Sequence, residues 1–135
     1  MLAALALRAA DGLAVALKAE VSEGRPAEAL AGAARAFIRF AAEHRSLYLV
    51  LLTSGLDKSR HPELLAATER IGASFLEPAL ALSEGDPERA QRLITAVVAV
   101  AQGYATILLD GSLPQDATSI ATQASDTVLA LIRGR

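Results

Sequence analysis

His44 and His61 are the two histidines of the chain, and neither has a carboxylate or a second imidazole at helical spacing within its own segment, as a metal pair or a nucleophile–base arrangement requires. Glu43 abuts His44 but points to another face of the same helix, and His61 stands directly before Pro62 as a helix-start residue. With no cysteine, the chain has no thiol nucleophile, thiolate metal site or disulfide. The paired Glu-x-x-His motifs of di-iron bundles are absent. The nine glycines fall at helix ends or singly within helices, so no glycine-rich phosphate loop forms. Neither a catalytic residue, nor a metal ligand, nor a cofactor is expected, and a small helical enzyme would need a catalytic pair that these residues do not provide.

The remaining chemistry is that of an apolar pocket. Phe37, Phe40, Tyr48, Phe75 and Tyr104 are all the aromatic residues of the chain, and each lies in an apolar helical segment. Gln102 and Tyr104 are the polar groups of an otherwise greasy stretch. Two readings stand side by side: these six residues line a ligand cavity with a few polar handles, or the aromatics fill ordinary core volume and their hydroxyls find local partners. Asp110 opposes the dipole of its helix in the last turn, so it is expected to be exposed, paired with an arginine, or placed for a partner. Arg35 and Arg39 read as a solvated face.

The elements that position these residues follow from composition. At 135 residues, 53% hydrophobic and 21% charged, the chain fits one soluble domain over residues 1–135. Net charge is -2 with both signs interspersed, which argues against a nucleic-acid or anionic-membrane surface. The apolar opening is broken by Arg8, Asp11 and Lys18 and lacks the basic start of a secretion signal, so a cytoplasmic protein without a membrane span is expected. Alanine and leucine dominate, no period-two alternation appears, and the fold class is all-α. About six helices are predicted: Leu2 to about Val21, ending at Gly24; a second from Pro26; a buried central one through Leu47–Leu52, ending at Gly55; a fourth from Pro62, kinked or cut short at Pro78; a fifth after Gly85 and the capping Asp86; and a last one capped by Asp116 and ending at Gly134. The first has no capping residue ahead of it, so the chain is expected to begin at a cut end.

The fifth helix carries two apolar stripes, and a helix apolar on two sides needs two neighbours. Self-association is one way to supply the second. Leu93, Val97, Val100, Tyr104 and Leu108, with Ile120, Ala124, Val128 and Leu131 of the last helix, are the expected faces of a four-helix homodimer seam, with Gly103, Ala99 and Ala105 allowing close approach. The other way is that these faces complete the core of a monomer.

Three stretches together, Ala36 to Gly55 (AFIRFAAEHRSLYLVLLTSG), His61 to Leu64 (HPEL) and Ala101 to Leu113 (AQGYATILLDGSL), resemble the C-terminal regulatory domain of TetR-family transcriptional repressors. Phe37, Phe40, Ala41, Glu43, His44, Leu47, Tyr48, Gly111 and Leu113 stand at matching places. The resemblance implies a homodimer built through about Pro87 to Asp110 and Asp116 to Arg133, and a cavity for a small apolar effector among the earlier helices. It also implies that DNA is reached only through an N-terminal helix-turn-helix, which these residues do not contain and whose tail Met1 and Leu2 resemble. Where the most similar subgroup has a His-Gly pair, this chain has Gln102 and Gly103. A second function class is a stand-alone helical dimer that binds or carries a hydrophobic molecule.

Overall fold

Three of the helices start on a proline, where the missing N–H costs nothing and φ is already helical. In a computed structural model that describes residues 2–20, 25–53, 61–111 and 115–134, the order is α1 (Leu2–Glu20), α2 (Pro26–Glu43), α3 (Arg45–Thr53), α4 (Pro62–Leu82), α5 (Pro87–Asp110) and α6 (Ala117–Arg133). No strand occurs among the described residues, and the fold is an all-α bundle. Pro26, Pro62 and Pro87 open α2, α4 and α5. The expected stops at Gly24 and Gly55, and the matching position Leu113, lie outside the described residues.

The α4–α5 corner is built as its residues require. Gly85 takes φ 80°, a left-handed value that costs glycine nothing, and its N–H donates to Leu80 O at 2.9 Å. Asp86 then accepts from Glu88 N at 3.0 Å and caps α5. Asp116 does the same for α6, accepting from Ser119 N at 2.7 Å. At the other end of α5, Gly111 has φ 72°, and the Arg45 guanidinium donates to Leu109 O, placing a cation where the carbonyl end of the helix favours one. Asp110 is exposed. Pro78 is buried within α4, and the helix does not end there but runs on to Leu82.

The central element is α2, which touches each of the other five helices. It is buried almost all round from Leu30 to Ala41, through Ala31, Gly32, Ala33, Ala34, Ala36, Phe37, Ile38 and Phe40. This corrects the expectation that the Leu47–Leu52 stretch would hold the centre: Leu49 of α3 is 38% exposed. Overall greasiness matters less here than side-chain size, because only a helix surfaced with alanine and glycine admits neighbours on every side at close range. The main core joins Leu13 and Leu17 of α1, Phe37 and Ile38 of α2, Tyr48 of α3, Phe75 of α4, Val97 of α5 and Ile120 and Val128 of α6. A smaller cluster of Ala6, Ala10, Leu64 and Ala67 joins α1 to α4.

Arg35 is the second correction. Rather than riding a solvated face with Arg39, it is half-buried and donates from Nη1 to Ser125 Oγ of α6 at 2.9 Å, while Nη2 lies 3.8 Å from Glu20 Oε2 of α1.

Ala124 is fully buried on α6, so Ala124→Leu overfills its site and should cost about 1–3 kcal/mol of stability in urea unfolding. The hydrogen bonds from Ser119 hold the Asp116 carboxyl below its ordinary value of 3.8. Its stabilising effect is therefore present above that value and lost as pH falls through the lower folded one. Asp116→Ala should lower the thermal midpoint at neutral pH, and its gap from wild type should close in acid.

Candidate functional site

The break between α2 and α3 sets the aromatic geometry. His44 ends α2 with its N–H on Phe40 O and offers its own carbonyl to Tyr48 N at 2.9 Å, so α3 starts at once in a new direction. Tyr48 thereby meets Phe37 edge to face, with ring centroids 5.4 Å apart and planes at 86°, a favoured arrangement of aromatic quadrupoles. Tyr48 is fully buried, and its hydroxyl has no hydrogen-bond partner. Burial pushes that hydroxyl up to about 12, so it stays protonated and neutral at physiological pH. Phe75, from α4, is buried in the same core.

Phe40 belongs to a different place. Its ring packs against His44, centroids 4.9 Å apart, and against Gly12 of α1, where an added Cβ would come within 3.0 Å of the ring. Over this contact lies a cleft of about 440 Å³ between α1, α2 and the start of α3, within the usual range for small-molecule sites. Gly12, Val15, Ala16, Ala36, Phe40 and Leu47 supply its apolar lining, and Arg8, Glu20, Arg39, Glu43 and His44 its polar lining. Val15 is 71% exposed. Glu20 and Arg39 pair across the cleft at 3.4 Å. A more voluminous groove of about 700 Å³ lies between α1 and α4, with Asp11, Lys18, Arg70 and Glu77 among its lining residues. Asp11 and Arg70 are in direct contact.

The six residues expected to share a pocket are therefore divided. Phe37, Tyr48 and Phe75 are core, and Phe40 reaches the cleft. Gln102 is exposed on α5 and does not line an enclosed cavity. The Tyr104 hydroxyl bonds Thr127 Oγ1 at 2.9 Å, a contact between α5 and α6. The signal that reasoning from the aromatics missed is Gly12, a glycine inside the apolar stripe of α1. There it lowers helix propensity and makes room for Phe40.

The expected seam residues divide in the same way. Val97, Ala124 and Val128 are 0% exposed, Ile120 is 1% and Leu93 is 4%, all within one chain. A side chain with no accessible surface gains nothing from a second copy, so these belong to the core rather than to a seam. Val100, Tyr104, Leu108 and Leu131 are half-buried. The face that remains open on α5 runs through Ala96, Ala99, Val100, Gly103 and Ile107, each exposed or half-buried. By length and composition α5 could cross a membrane, yet only 22% of its most apolar stretch is buried in the chain. Among the described residues no three of His, Cys, Asp or Glu stand close enough to hold a metal ion.

A family model described as "Tetracyclin repressor-like, C-terminal domain" matches residues 30–129. No curated protein and no solved structure matches the chain.

Phe75→Ala should cost about 3–5 kcal/mol in denaturant unfolding, as for a core aromatic. Gln102→Ala should stay within about 0.5 kcal/mol of wild type, as for a surface residue.

Proposed function

The chain belongs to the tetracyclin repressor-like C-terminal domain family, and from that premise we propose that residues 1–135 act as the effector-sensing and dimerisation unit of a cytoplasmic transcriptional repressor, without catalytic activity of its own. The observation that carries the reading is the open apolar face of α5. Ala96, Val100, Gly103 and Ile107 recur at helical spacing on α5, and small residues let two such helices meet closely about a two-fold axis. The charged and polar residues Arg89, Gln91, Arg92 and Gln102, all exposed on α5, suit a protein seam with a wet rim better than a lipid-facing helix.

The effector is a small, mostly apolar molecule taken up through the α1/α2/α3 cleft. Its influence on DNA would pass through a helix-turn-helix placed ahead of α1. Each ligand-bound and ligand-free arrangement of the dimer sets a different separation of two such heads. A ligand shifts the balance between the arrangements only by its difference in affinity for them.

Gly103 is the position that separates seam from core. A Cβ built there meets nothing within 4 Å, so Gly103→Arg leaves the single chain room to fold while placing charge in the proposed seam. Light scattering should give wild type about twice 14.0 kDa and Gly103→Arg the single-chain mass with its helical circular dichroism kept. A wild-type monomer, or a dimer that tolerates arginine at this position, would overturn the seam.

A further inference from the structure

Among the described residues two buried side-chain oxygens lack a hydrogen-bond partner, Tyr48 Oη and Ser83 Oγ. They are not equivalent. Ser83 sits at the C-cap of α4 in a turn whose backbone is already bonded, Ser83 N to Leu80 O at 3.1 Å and Asp86 N to Ser83 O at 3.0 Å. A serine hydroxyl at a helix end turns readily to a local backbone carbonyl. Tyr48 Oη stands at the tip of a rigid ring, fully buried and fixed edge-on to Phe37, so it can find a partner only if the ring moves or a partner comes to it. A buried donor left unpaired is costly, and such groups in native proteins call for a physical cause.

The surroundings restrict what that partner can be. Among the described residues the other buried polar side chains are Ser83 and Ser125, and no Lys, Arg, His, Asp or Glu is buried. A charged group brought to Tyr48 would therefore lie desolvated without a counter-ion, which is strongly unfavourable. A neutral oxygen acceptor meets no such penalty. The cleft adjoins Tyr48 along the chain. Leu47, the residue before Tyr48, and Phe40, three residues on from Phe37, both line the α1/α2/α3 cleft.

We propose that Tyr48 Oη is the polar handle of the effector site, donating a hydrogen bond to a carbonyl or ether oxygen on a neutral, predominantly apolar ligand that enters by the α1/α2/α3 cleft. This rests on the effector reading above and adds the ligand's charge and the position of its one required oxygen. The same desolvation argument excludes a carboxylate or ammonium group at Tyr48 itself.

The test compares acetophenone with ethylbenzene, probes of similar shape of which only the first carries a carbonyl, binding to the full chain and to Tyr48→Phe by calorimetric titration. Acetophenone should bind wild type about 3- to 10-fold more tightly than the variant, as expected for one net hydrogen bond, while ethylbenzene binds both equally. The ligand-free variant should unfold at no lower temperature than wild type, because no partner is lost. Equal binding of acetophenone to both proteins, with ethylbenzene binding retained, overturns the handle and leaves the effector site standing. A lower unfolding temperature for ligand-free Tyr48→Phe would show that the hydroxyl is already bonded in the folded chain and also overturns it. If neither probe binds either protein, the apolar effector reading fails and this inference falls with it.

Discussion

Everything in the bundle depends on α2 being surrounded. A helix with neighbours on every side must present short side chains over most of its surface, because each large one pushes a partner helix outward. The run from Leu30 to Ala41 meets this condition with alanine and glycine at half of its positions, and with Phe37, Ile38 and Phe40 as the bulk that fills gaps between the surrounding helices. The tolerance is narrow. Methyl-sized surfaces leave no flexible atoms to absorb an error, so packing here specifies the spacing of α1, α5 and α6 as well as supplying apolar burial.

Surrounding α2 also decides where polar chemistry goes. With the interior closed to charge, the ionic groups of α1 and α2 collect at the cleft margins, where Glu20 is shared by Arg35 and Arg39. The exposed side of α5 remains apolar because the core takes only one of its two stripes. One constraint thus yields both features that a sensing and dimerising unit needs, a cleft with a greasy interior and charged edges, and an open helix face of small residues.

Among the described residues, helix order and several helix ends were legible in the sequence because local chemistry fixes them: Pro26, Pro62 and Pro87 open helices, Asp86 and Asp116 cap them, and Gly85 and Gly111 turn the chain. What periodicity could not give was which of two apolar stripes faces inward. On α5 the stripe through Leu93, Val97 and Ala101 and the one through Ala96, Val100 and Gly103 both recur at helical intervals of three or four residues, and only the position of α2 chooses between them. Arg35 was misread for a related reason. A long cationic side chain within a run of alanines looks solvated in a sequence, but its stem can lie along apolar surface while its head reaches a hydroxyl on another helix. The grouping of aromatics failed because Tyr104 lies 56 residues on from Tyr48 by number, and nothing local says that its hydroxyl is already taken by Thr127.

Arg35 has a kinematic consequence. Its two terminal nitrogens serve two different helices, one reaching the Glu20 carboxylate of α1 and the other the Ser125 hydroxyl of α6. A motion that slides α1 past α6 must lengthen at least one of these contacts, whereas a rotation that carries the three helices as a block lengthens neither. The guanidinium therefore ties α1 and α6 to α2 through one side chain, so shear between them strains contacts that a block rotation keeps.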